Sequence, residues 1–104
     1  MTRQELLNEI KARLRATYGD RLRGAVVYGS EARGEAGPDS DIDVLVLLDA
    51  LVDYGRDLEN SLTAVYPLAL RVGRRISAKP VAASEYEAAE CPLYQAAHRE
   101  GITI

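Results

Sequence analysis

Two aspartates one residue apart, Asp41 and Asp43, open the apolar run IDVLVLL, and a Gly-Ser pair, Gly29-Ser30, closes the run AVVY with ten residues between Ser30 and Asp41. On a strand, side chains two apart leave the same face, so the two carboxylates share one place while Ile42 and Val44 point to the other side. Neighbouring carboxylates resist ionisation unless a cation lies between them, and oxygen ligands suit magnesium. Magnesium keeps several waters and takes one or two protein carboxylates together with substrate phosphates. Gly29 and Ser30 suit those phosphates: N–H groups at the start of a turn or short helix, a serine hydroxyl and a missing side chain make a concave anion site. Arg33, one turn on, can take a phosphate oxygen through paired guanidinium donors. The chemistry this inventory supports is phosphoryl transfer by positioning and charge neutralisation, on a loop that lacks the Gly-Lys-Ser/Thr end of a Walker motif.

Each feature also has an ordinary explanation. An Asp pair can be a solvated strand entrance, a Gly-Ser a simple turn, and Arg33 one half of a surface ion pair. His98 has no neighbour in sequence that suggests a metal site and reads as structural or surface. Cys91 reads as core filling, with no Cys-His or CxxC arrangement for thiol chemistry.

The elements that must position these residues follow from periodicity. Leu6, Leu7, Ile10, Leu14 and Tyr18 recur at helical spacing, predicting a one-faced surface helix over 3–18 that Gly19 and Asp20 end. A strand is expected over 25–28, and a second over 42–48, apolar on both faces as in a sheet covered on both sides. Leu58, Leu62, Val65, Leu68 and Val72 predict a long helix, kinked or restarted at Pro67 and closed by Gly73, Arg74 and Arg75. ISAKPVAAS reads as a third strand, at an edge because of Pro80. Ser84 with Glu87 resembles a capping box opening a short helix, and Pro92 begins another through His98. Gly101 ends it, leaving ITI as a tail or edge strand. The expected fold is α/β, a small mixed sheet of three to four strands packed against helices, in one domain over 1–104.

Length and composition set the limits. The 104 residues, with 28% charged, a net charge of −3 and one cysteine, leave no room for separate substrate and cofactor domains and exclude an internal disulfide. No apolar run reaches the roughly 20 residues needed to span a bilayer, and the amino end lacks the apolar core of a signal peptide. The expectation is a cytoplasmic protein, away from membranes. Mild acidity with scattered basic residues argues against a dedicated nucleic-acid binder.

Gly29, Ser30, ten intervening residues, then Asp41-Ile42-Asp43, with Ala32-Arg33-Gly34 between, resembles the signature of the minimal nucleotidyltransferase domain of the DNA polymerase beta superfamily, of the MntA-like antitoxin type paired with HEPN proteins. The likeness in element order extends over most of the chain. It implies that Gly29 and Ser30 hold a nucleoside triphosphate tail, with ATP as the expected substrate, and that Asp41 and Asp43 bind Mg2+. It also implies transfer of a nucleoside monophosphate to a hydroxyl with release of pyrophosphate. Small members pair with an all-helical HEPN toxin, which the transferase can adenylylate. A HEPN-type partner, a homo-oligomer, or both are therefore expected.

One feature departs from the family pattern. A third carboxylate comes from the strand after the long helix, and here that stretch, RRISAKPVAAS, holds no acidic residue. The same-face candidates are Ser77 and Lys79 or, in the other register, Ile76 and Ala78. Three readings stand: a transferase with a weakened base, an inactive nucleotide-binding subunit, and a subunit completed by its partner. No residue announces adenine recognition. The aromatics are all tyrosines, of which Tyr28 reads as core and Tyr54 and Tyr66 as packing or interface residues.

Overall fold

The computed structural model describes residues 1–104. Helix α1 runs Arg3–Tyr18 and opens on a reciprocal capping box, in which the Thr2 hydroxyl accepts from the Glu5 N–H and the Glu5 carboxylate accepts from the Thr2 N–H. A 3-10 turn, Gly19–Arg21, leads into strand β1, Leu22–Tyr28. Strand β2 spans Ile42–Leu48, helix α2 Tyr54–Val72 and strand β3 Ile76–Ala82. A short helix α3, Ala83–Glu87, helix α4, Pro92–Glu100, and a two-residue strand β4, Ile102–Thr103, complete the chain.

The four strands lie in the order β3-β2-β1-β4. β1 pairs antiparallel with β2 and β4, and β2 pairs parallel with β3 across the α2 connection, so the sheet is mixed. Alternation along β1 and β2 builds two cores. Ala25, Val27, Val44, Val46 and Leu48 meet Leu6, Leu7, Ile10 and Leu14 of α1 and Val65 and Leu68 of α2 on one face. Val26, Leu45 and Leu47 meet Tyr86 of α3 and Ala97 of α4 on the other. Truncating one of the fully buried leucines, such as Leu14, would cost about 2–5 kcal/mol. No helix is long and apolar enough to cross a membrane.

Several expectations need correction. β1 begins three residues earlier than the apolar run, because its irregular start at Leu22–Gly24 carries an exposed Arg23. α2 does not restart at Pro67 but runs through it as one helix. Both Pro67 and Thr63, whose carbonyl loses its donor, are exposed, so water can take the bond that proline removes. Ser84 caps nothing: α3 starts at Ala83 with Ala82 before it and no side-chain cap. Cys91 is half-buried at the N-cap of α4 and lies outside both cores, because Pro92 sets the helix start immediately after it. β3 is an edge strand and carries Pro80, as expected.

Candidate active site

β1 delivers the chain to Gly29, where φ turns to +72°. The backbone then closes a compact turn: Arg33 N–H donates to the Gly29 carbonyl at 3.2 Å, Gly34 N–H to Glu31 at 3.3 Å and Glu35 N–H to Ser30 at 3.0 Å. Arg33 is the first donor of that turn. The N–H groups of Ser30, Glu31 and Ala32 ahead of it have no backbone partner, which is the arrangement of a helix start that accepts an anion. Gly29 is required for two reasons. Its positive φ is strained for any residue with a side chain, and a β-carbon there would lie 2.7 Å from Oδ2 of Asp43. The Asp43 carboxylate therefore rests directly against the turn.

Asp43 faces that turn because β1 and β2 set it opposite Tyr28. On its other side the parallel register places Ser77 of β3 level with Asp43, and Lys79 level with Leu45. Tyr28, Asp43 and Ser77 form one row on the face that carries α3 and α4. The sequence left two registers open for β3, and the structure selects Ser77. Burial, and after it the charge of Asp41, push the Asp43 carboxyl above its ordinary value. Burial and the Asp43 charge likewise raise the Tyr28 phenol. Asp41 sits at the exposed mouth of the strand.

No group of three or more acidic, histidine or cysteine side chains is placed to hold a metal. Two carboxylates, one of them partly desolvated by burial and repelled by the other, fit a magnesium ion that draws its remaining ligands from water and phosphate. They do not form a cage that would hold the ion without a nucleotide.

Arg33 lies one turn beyond Ser30, exposed, with ion pairs to Glu35 at 3.3 Å and Glu100 at 3.6 Å. A phosphate would have to compete with both carboxylates for it. The turn thus brings Gly29, Ser30, Asp41 and Asp43 to one end of the sheet and ties Arg33 to the end of α4.

Sequence reasoning missed the framework behind the turn. Glu31 is only 7% exposed. Its carboxylate accepts from Arg3 Nε at 3.2 Å and is ion-paired with Arg74, while Arg3 also donates to the Glu31 carbonyl at 2.7 Å. Arg74 Nε donates to the Ser40 carbonyl at 2.9 Å, and the Ile42 N–H to the Arg75 carbonyl at 2.8 Å. Both ends of the loop between Ser30 and Asp41 are thereby fastened to the end of α2. Partners 28 and 43 positions away from Glu31 left no local signal. A glutamate directly after Gly-Ser and an Arg-Arg pair before β3 were the only hints.

A turn with free backbone N–H groups beside a strand-borne carboxylate pair, on a mixed sheet with helices on both faces, is the arrangement of a nucleotidyltransferase fold. Residues 7–100 match the nucleotidyltransferase domain family, and the chain belongs to it. Over 66 residues it is 33% identical to the "Putative protein adenylyltransferase" of Methanocaldococcus jannaschii, covering 64% of this chain and 66% of that protein. Its fold is similar to three solved structures. They are a toxin-antitoxin with AMP-PNP (TM-score 0.68, 23% identity, 92% of this chain and 69% of that one), the spectinomycin adenyltransferase AAD(9) of Enterococcus faecialis with ATP and spectinomycin (0.72, 19%, 99% and 56%), and a mutant of the toxin-antitoxin MntA-HpeT (0.66, 20%, 94% and 70%). The chain spans just under two thirds of the curated relative and little more than half of the spectinomycin enzyme.

Proposed function

We propose that this chain is the nucleotide-binding subunit of a two-component toxin-antitoxin complex, with a HEPN-type protein as partner and magnesium-ATP as ligand. In this reading Gly29 and Ser30 hold the triphosphate, Asp41 and Asp43 hold Mg2+, and Arg33 is recruited from its ion pairs to an outer phosphate. The magnesium ion supplies charge neutralisation at the phosphates. The observation that carries the reading is the packing of the Asp43 carboxylate against the Gly29 turn, which brings metal and phosphate ligands together at one end of the sheet. The structural likeness to a toxin-antitoxin bound to an ATP analogue supports it. Ser77 stands level with Asp43 where an acidic residue would serve as base, so transfer by the isolated chain is weak or absent. Serine is a poor general base.

A second reading is favoured by the likeness to an adenylyltransferase sequence. Here a hydroxyl of the partner attacks the α-phosphorus of ATP, the bond to the bridging oxygen breaks, pyrophosphate leaves and the hydroxyl proton passes to solvent or to a partner base. Asp41 and Asp43 then act in catalysis by holding the metal. One experiment separates the two: purified chain, alone and with its HEPN-type partner, is incubated with labelled ATP and magnesium, and binding is measured in parallel by calorimetry. Binding without transfer supports the first reading. Transfer abolished by Asp41→Asn with Asp43→Asn supports the second, and absence of nucleotide binding under all conditions overturns both.

A further inference from the structure

α2 buries only one side. Asp57, Ser61, Val65 and Leu68 turn inward, whereas Leu62, Tyr66 and Leu70 are 42%, 61% and 65% exposed. Spaced four apart, these three share a face. With Ala69 and Ile76 they line a groove of about 530 Å3 that ends in Gly73, Arg74 and Arg75. Single exposed apolar side chains are ordinary, but a continuous row of them along a helix marks a surface that another body covers.

The charges at the two ends of the row indicate that body. One turn before Leu62, on the same side of the helix, stands Glu59; just beyond the other end stands Arg75. Both are exposed, and neither belongs to any of the ion pairs within the chain. Arg74, by contrast, is occupied with Glu31 and Ser40. The face is thus acidic at one end, apolar in the middle and basic at the other, with Tyr66 near its centre. A two-fold axis passing through Tyr66 across the helix would set Leu62 against the partner's Leu70, and Glu59 beside the partner's Gly73 and Arg75. Such an isologous contact is self-complementary in both shape and sign. The Asp43 side chain leaves the opposite face of the sheet, in phase with Leu45 and Leu47 that pack against α3 and α4, while the basic end of the groove adjoins the loop between Ser30 and Asp41 through the Arg75 carbonyl and the Ile42 N–H.

We propose that the exposed face of α2 is a homodimer interface, in which two copies of this chain pack α2 antiparallel about Tyr66 with Glu59 of each copy paired to Arg75 of the other. The proposal goes beyond nucleotide binding and does not depend on it. Sedimentation equilibrium of the full chain without nucleotide tests it. The expected result is a concentration-dependent shift from the 11.4 kDa monomer to twice that mass. Tyr66→Glu and, separately, Leu70→Gln should shift the midpoint at least tenfold to higher concentration while circular dichroism stays unchanged. Glu59→Arg and Arg75→Glu should each weaken association, and the double charge swap should restore it to within a few-fold of the parent. The proposal is overturned by a chain that stays monomeric into the millimolar range, whether or not a HEPN-type protein then occupies this face. Dimerisation indifferent to Tyr66→Glu and Leu70→Gln, or a double swap no better than either single change, overturns it as well. Nucleotide binding by a monomeric chain would leave the functional reading intact, so the two failures are distinguishable.

Discussion

The Asp43 carboxylate rests against the bare backbone of Gly29, where a β-carbon would stand 2.7 Å from Oδ2 at a residue whose φ is +72°. The Gly29 turn and strand β2 are therefore one structural unit, and a single methyl group is enough to disturb both. Gly29→Ala should cost about 1–3 kcal/mol of stability through the strained backbone and push Asp43 away from the turn. Affinity for magnesium-ATP should fall at least tenfold by calorimetry. Unchanged affinity in a destabilised variant would show that the contact serves the fold alone.

Asp43 couples stability and binding with opposite signs. Burial and the charge of Asp41 raise its folded value above the ordinary carboxyl value of 3.8, so the native state holds the proton more tightly than the unfolded chain does. Its ionisation then disfavours folding, and that cost sets in as pH rises from 3.8 through the folded value. At neutral pH Asp43→Asn should stabilise the protein, by less than about 1 kcal/mol because the group keeps part of its solvent, while abolishing magnesium-dependent nucleotide binding. The gap in melting temperature between the two proteins should close below pH 3.8. An Asn variant less stable than the parent at pH 7 would show that the carboxylate makes a net favourable contact.

The Glu31 network predicts a ranking. Arg74 is largely buried and holds both Glu31 and the Ser40 carbonyl, whereas Arg3 is half-exposed. Removing one partner of a buried pair costs about 3–5 kcal/mol when the charge is left alone. Arg3 remains beside Glu31, so Arg74→Ala should cost less, about 2 kcal/mol, and Arg3→Ala about 1 kcal/mol or less. Urea unfolding of the two variants tests the order. Arg74→Ala should also weaken nucleotide binding, because the loop between Ser30 and Asp41 loses its tie to α2. Equal costs for both arginines would mean that Arg74 is not what fastens the turn.

The parts of this molecule legible in its sequence are those encoded locally. α1 and β2 lie at the predicted residues because apolar spacing alone decides them, and the Gly-Ser and Asp pairs declare themselves through residue type and distance along the chain. β1 is longer than expected, since Arg23 and Gly24 interrupt the apolar run while the ladder with β2 continues past them. Pro67 does not break α2 because its side of the helix faces water, which no periodicity reports. Glu31, Arg3 and Arg74 look like surface charges until the fold brings them together over 28 and 43 residues. Only the parallel pairing of β2 with β3 settles that Ser77, and not Ile76 or Ala78, accompanies Asp43.

That pairing permits a gain-of-function test. Ser77 is level with Asp43 in the parallel ladder, so neighbouring strands about 4.8 Å apart send both side chains from the same face. Ser77→Asp would place a third carboxylate within reach of a metal held by Asp41 and Asp43 and of an attacking hydroxyl. A positioned base contributes about 100-fold or more to such a transfer, so labelled AMP transfer to the partner should rise by about that factor over the parent. Ser77→Asn, equal in size and unable to accept the proton, should give no rise. The added charge would repel Asp43, so the Asp variant should melt lower than the parent without magnesium-ATP and recover part of the difference with it. If Ser77→Asp binds nucleotide as the parent does and transfers no faster, this position on β3 is not the one that limits catalysis, and the missing base must come from the partner.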